Sequence, residues 1–245
     1  MEKCIRLYRE EMALREMRDA ESAYDLSRVY SKRQERLELM ASRVVTVEAC
    51  GSLGSGVMLD TRGHIATNAH VVATSSGICP KIIVTTADGW QGTARVAAGE
   101  YEQDIVILRA EGARNFWGVE IAPRIYLGQD VFAVGHPLGR SHTVTRGIIS
   151  YVRRIIGDRP YVQTDASINP GNSGGGLFDE LGRLVGLPTF KEVWADRTRT
   201  IPVANIGFAV PGDVVQEFYT QALQQRRSVS CAGNPAAVTA PFILA

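Results

Sequence analysis

At 245 residues, with 45% hydrophobic and 22% charged side chains, the chain carries enough apolar content for one large globular domain or two smaller ones. Its 27 basic and 26 acidic residues leave a formal net charge of +1, so no global field draws it to nucleic acid or to an anionic membrane surface. No run approaches the roughly 20 apolar residues that span a bilayer, and the charged start MEKCIRLYREEMALREMRD lacks secretory or transit character, so the cytosol is the expected location.

Residues 1–43 alternate acids and bases, contain no Gly or Pro, and place Ile5, Tyr8, Met12, Met17, Ala20, Tyr24, Leu37 and Met40 at broken helical spacings. This predicts one long helix or two. The segment is either a salt-bridged helix packed on the domain by one face or an arm for oligomerisation or docking. From Val44 the texture becomes short β-rich runs between turn residues, among them RVVTVEA, GSGVML, HIATNAHVV, KIIVTTADG, DIVILRA, DVFAVGHP, YVQTDA and NIGFAVP. That spacing predicts an all-β barrel or sandwich over 44–227. One helical pattern follows, Pro211 to Arg227, with Val214, Val215, Phe218 and Ala222 on one face. Residues 228–245 read as a small-residue tail, with PFILA at its end as a segment that could fill another protein's groove. Cys4, Cys50, Cys79 and Cys231 have no CxxC or Cys/His ligand spacing, so neither a metal nor a cofactor is implied. In a reducing compartment these cysteines read as thiols rather than disulfides.

The stretch TDASINPGNSGGGLF sets Ser173 among glycines. A serine hydroxyl becomes a nucleophile only beside a base, and the attacked carbonyl needs N–H donors where its oxyanion develops. Gly171 lets the amides of Gly171 and Ser173 point at one spot, while Gly174 and Gly175 are read as room for a substrate. His70, at the end of a β run in ATNAHVV, is the candidate base. His64 and His142 are placed in polar, exposed turns, and His136 in VGHPLG is read as a loop hydrogen bonder. Asp104, at the mouth of the apolar run IVIL, is the carboxylate that can accept from His70 Nδ1–H and fix its tautomer. Asp88 reads as a turn residue, and Asp165 as a competitor that shapes a pocket wall.

His70, Asp104 and Ser173, in the contexts TNAHVV, DIVIL and GNSGG, together resemble the trypsin-like serine proteases, most closely the HtrA/Deg branch. The resemblance runs from about Val44 to Arg227 and includes GSGVML, TDASINPGNSGGGLFDELGRLVGL and NIGFAVP. It implies two six-stranded antiparallel β-barrels with the triad at their junction, whereas the N-terminal helical extension, residues 1–43, has no counterpart in that family and the C-terminal helix is read from its own periodicity. It also implies an oxyanion hole at Gly171, Asn172 and Ser173, and a specificity pocket with Ser167 at its floor and Ile206, Gly207 and Phe208 along a wall. With no acid at the floor, a small or medium apolar P1 residue is expected. Polypeptide is the implied substrate, as a trimer by resemblance or with a regulatory partner at residues 1–43. The usual PDZ domain has no counterpart after Arg227. Two functions stand side by side: a serine endopeptidase, or a protease-fold protein at rest that acts as a chaperone-like or scaffold module.

Overall fold

The computed structural model describes residues 31–112, 116–136, 143–169, 171–195 and 200–229, without side chains over 191–203 and 225–229. The chain divides into Met1–Glu38 and Leu39–Ala245. Of the predicted N-terminal helix, the described part is helical over 31–42 (α1) and ends as β1 (Val44–Ala49) begins. Residues 1–30 and the tail beyond Val229 lie outside the described residues.

The predicted strands close into two six-stranded antiparallel barrels. The first has the order β1, β2 (Ser52–Met58), β3 (His64–Thr67), β8 (Ile105–Ala110), β7 (Gln91–Glu100), β6 (Ile82–Thr85). Between β3 and β6 lie the short helix α2 (Ala69–Val72) and a two-stranded hairpin, β4 (Ala73–Thr74) with β5 (Gly77–Ile78). The second barrel has the order β10 (Thr143–Ile156), β11 (Arg159–Thr164), β14 (Thr200–Pro211), β13 (Leu184–Ala195), β12 (Gly176–Asp179), β9 (Asp130–Gly135). Each barrel encloses its own apolar core, built on Val47, Ile65, Val106 and Leu108 in the first and on Val131, Ile149, Val162 and Leu177 in the second. Closure pairs every strand on both sides, which leaves no open sheet edge in either barrel.

In β1, Val45 and Val47 enter the core while Glu48 faces water, the period of two that a half-buried strand requires. The hairpin into β2 turns on Cys50 (φ 49°) and Gly51 (φ 77°), with Ala49 opposite Ser52. Two positive φ values in a two-residue loop match the right-handed twist of the flanking strands. Because β1 also pairs with β6, Ala49 opposite Ile82, this turn lies beside the start of β6. There Cys50 and Cys79 form a disulfide with Cα atoms 5.7 Å apart. The expectation of free thiols at these positions is therefore corrected: strand register, invisible in the spacing of the cysteines, brings them within bonding distance. Cys4 and Cys231 lie outside the described residues.

The C-terminal helix, α3 (Gly212–Val229), leaves the second barrel and packs back on β7, β8 and β3 of the first, burying Val214, Val215, Phe218 and Ala222. It also covers His64, which is 1% exposed and not in an exposed turn as its sequence context suggests. Tyr219 lies edge-on to that imidazole at 5.6 Å and donates its hydroxyl to Asp60 Oδ2 at 2.9 Å. Asp60 Oδ2 also meets His64 Nδ1 at 2.7 Å, and Asp60 Oδ1 accepts the His64 backbone N–H at 3.0 Å. Burial pushes the His64 pKa down, helped by Arg109 and Arg62 and only partly opposed by Asp60. Burial alone would raise Asp60, but the bonds from His64 and Tyr219 hold its carboxyl well below the usual carboxylate range. The contact is thus a neutral imidazole N–H donating to a carboxylate.

Both groups bind protons less readily folded than unfolded, so stability must fall with falling pH. His64 contributes the first loss, below about pH 6.5, and Asp60 a second, below about pH 4. Asp60→Asn should lower stability at neutral pH by about 2 kcal/mol, roughly 4–8 °C for a chain of this size, and remove the lower-pH stage. Melting temperatures of both proteins between pH 2 and 8 check this, and parallel curves would refute it.

Candidate active site

The site lies where loops of the two barrels meet. His70 is the second residue of α2, and Asp104 ends the tight turn from β7 into β8, its N–H bonded to Tyr101 O at 3.0 Å. Asp104 has φ 52°, the left-handed region that Asp tolerates better than most residues. That conformation aims its carboxylate back at α2. His70 Nδ1 lies 3.0 Å from Asp104 Oδ1 and 2.8 Å from Oδ2, and the His70 backbone N–H donates to Oδ1 at 3.0 Å. The imidazole is therefore held by its ring and by its backbone. His70 is 44% exposed and Asp104 18%, so the ring's outer face is open to solvent.

Ser173 comes from the second barrel, in the turn before β12. Its Oγ donates to Thr189 O on β13 at 3.3 Å, and among the described residues no hydrogen bond joins it to His70. The two sides are linked by Asn68. Asn68 stands at the N-cap of α2 but makes no cap bond with its side chain. Its Nδ2 instead donates to Asp104 O at 2.8 Å and to Thr189 Oγ1 at 2.9 Å, with the residue fully buried. Asn68 thus ties the turn that carries Asp104 to the strand that receives Ser173 Oγ. Neither Asn68 nor Thr189 was singled out in the sequence, where HIATNAHVV reads as a β run and the short helix that follows Asn68 gives no signal.

Around Ser173 the glycines serve a purpose different from the one expected. A Cβ on Gly174 would stand 2.3 Å from both Ser55 O and Thr67 Oγ1, and one on Gly175 2.3 Å from Val134 O. These residues make room for the backbones of the barrels, not for substrate. Gly171, with φ 96°, does adopt a conformation that favours glycine. The Asn172 N–H is bound to Asn169 O at 2.9 Å, and its buried side chain lies against Gly135. Asn172 thus turns away from the expected oxyanion position. Among the described residues, the N–H groups of Gly171 and Ser173 donate to no protein acceptor.

Ser167, the expected pocket floor, is exposed, and its carbonyl accepts from Thr145 Oγ1 at 2.9 Å. Its neighbour Ile168 is the buried side chain seated against Gly207, where an added Cβ would lie 2.7 Å from Ile168 Cγ1. Ile206 is half-buried beside it, and Phe208 packs on Tyr161 and on Phe190 of β13. Every side chain of this wall that the structure describes is uncharged. Asp165, the competing carboxylate, is engaged elsewhere: its Oδ1 accepts from Ile148 N–H at 2.6 Å. Asp88 closes the turn between β6 and β7 by accepting from Thr86 Oγ1. His136 is buried at the end of β9, and its N–H donates to Ser55 Oγ at 3.0 Å. His142 lies outside the described residues.

Residues 54–187 match the family described as a trypsin-like peptidase domain. The chain is 32% identical over 215 residues to a DegP-like periplasmic serine endoprotease of Pseudomonas putida (strain GB-1), covering 86% of this chain and 43% of that protein. It is 34% identical over 184 residues to the serine endoprotease DegS of Escherichia coli (strain K12), covering 73% of this chain and 50% of that one. The crystal structure of the serine endoprotease from Yersinia pestis is similar with a TM-score of 0.66 and 32% identity, covering 79% of this chain and 67% of that one. The chain thus spans half or less of the length of the two named relatives.

Proposed function

Since the chain belongs to the trypsin-like peptidases, we propose that it is a serine endopeptidase that cleaves polypeptide through an acyl-enzyme. The observation that carries this reading is the His70–Asp104 pair, held at 2.8 Å and tied through Asn68 to the strand that receives the hydroxyl of Ser173. Asp104 keeps the proton on His70 Nδ1, which leaves Nε2 as the base. Ser173 Oγ gives its proton to Nε2 as it attacks the scissile carbonyl, and the N–H groups of Gly171 and Ser173 receive the developing oxyanion. Nε2–H then protonates the leaving amine, and water, activated by the same nitrogen, releases the acyl group. Before attack, Ser173 Oγ must give up its bond to Thr189 O for one to His70 Nε2. The uncharged wall at Ile168, Ile206 and Phe208 favours an apolar P1 residue.

The hydrogen bond from Ser173 to Thr189 is also what a protein at rest would show, so the scaffold reading keeps one observation in its favour. In either reading, residues 1–43 would carry assembly, as a trimer by family resemblance, or recruit a partner. The Cys50–Cys79 bridge favours an oxidising compartment over the cytosol expected from the sequence. Differential alkylation of cell extracts separates these two locations.

One panel tests the function: the full chain, Ser173→Ala, and a chain beginning at Arg43. The full chain should cleave casein and take a fluorophosphonate label, and Ser173→Ala should lose both. Equal labelling of the two would exclude Ser173 as the nucleophile. The shortened chain should lose oligomeric mass or activation; an unchanged protein would remove the arm from the reading.

A further inference from the structure

We propose that Ser55, in the first barrel, is a positioning residue for the oxyanion loop of the second; the role rests on the peptidase reading. Ser55 is fully buried on β2, and its Oγ donates to Gly171 O at 2.6 Å across 116 residues of sequence. The same oxygen accepts the His136 N–H at 3.0 Å. With one lone pair occupied in this way, the Ser55 proton is directed at Gly171, and each bond polarises the other. The Ser55 N–H in turn donates to Ser173 O at 2.9 Å, so one residue grips the loop on either side of Asn172.

This grip matters because Gly171 is the point at which the loop can fail. Glycine has no Cβ to hold it at φ 96°, and rotation about that bond would carry the Gly171 N–H away from the oxyanion. The peptide from Gly171 to Asn172 is fixed at both ends, its carbonyl by Ser55 Oγ and its N–H by Asn169 O. Rotation about φ of Gly171 is the freedom that remains. Removing the Ser55 hydroxyl leaves a half-buried carbonyl unpaired, and the loop then gains by turning that carbonyl toward water. The hydroxyl touches no reacting atom; its effect reaches the chemistry through Gly171.

The test compares the full chain with Ser55→Ala, Ser55→Cys and Asp60→Asn in three measurements: peptide hydrolysis, fluorophosphonate labelling, and affinity for a peptide boronic acid. The boronate adduct places an oxygen where the oxyanion forms, so its affinity reports the hole rather than the fold. Ser55→Ala should lower kcat about 10- to 100-fold, less than loss of a direct donor, with KM within about twofold, and should weaken the boronate in parallel. Ser55→Cys keeps a weaker donor at the same point and should fall between; should the Ala variant not fold, it carries the comparison. Asp60→Asn should melt earlier yet keep wild-type kcat and boronate affinity. Wild-type kcat and boronate affinity in Ser55→Ala, or an equal kcat loss in Asp60→Asn, would overturn the proposal. A wild-type chain that neither hydrolyses peptide nor takes the label would instead sink the proposed function, and this role with it.

Discussion

Asp104→Asn should lower kcat by about ten-thousand-fold, the scale for a histidine trapped in the wrong tautomer, while the melting temperature moves by only a few degrees. Asn fits the same space and tolerates φ 52° as Asp does. Its carbonyl can still accept the His70 backbone N–H, now held at 3.0 Å. What changes is the bond at 2.8 Å to His70 Nδ1, where an amide NH2 now faces the ring. The ring answers by moving its proton to Nε2, and the base for Ser173 is gone. The effect belongs to chemistry and not to folding, so kcat and thermal melting must be measured on the same preparation. A loss smaller than about tenfold, in a protein that melts normally, would mean that Asp104 does not set the tautomer of His70.

Gly174→Ala should have the largest effect on stability, because Gly174 stands where the barrels touch. The new Cβ would meet Ser55 O and Thr67 Oγ1 at 2.3 Å and the Asn68 backbone nitrogen at 3.0 Å, all from the first barrel. The φ of 78° adds left-handed strain of about 1 kcal/mol. Gly182→Ala is the control: its φ is 77°, yet the nearest atom to an added Cβ is 3.7 Å away. Gly182→Ala should therefore melt about 2–4 °C early, whereas Gly174→Ala should lose several kcal/mol, more than about 10 °C, together with fluorophosphonate labelling. Equal shifts in the two variants would show that backbone strain alone accounts for both and that the contact between barrels is slack.

The sequence alone determined the strands and pointed to the candidate reacting groups. Alternation of apolar and polar residues, as in Val45 to Glu48, is a local property, so the all-β reading needed no tertiary information. The run of apolar residues after Asp104 likewise placed that carboxylate at a strand mouth, and its contact with His70 at 2.8 Å agrees. The serine stood out because glycines surrounded it, although the reason given for Gly174 and Gly175 was not the physical one.

Only the tertiary structure decided which distant groups share a seam. Gly174 is small because Ser55 and Thr67, far off in sequence, press on it. His64 is buried because α3, whose residue Tyr219 lies 159 positions beyond Asp60, folds over it. Cys50 meets Cys79 because β1 pairs with β6. Ile168 rather than its neighbour Ser167 meets Gly207 because the backbone turns that side chain inward. In each case the decisive neighbour arrives by strand pairing or helix docking across a long loop. Periodicity fixes which face of an element is apolar, but what that face meets is set by closure of the two barrels and by the side chains packed between them.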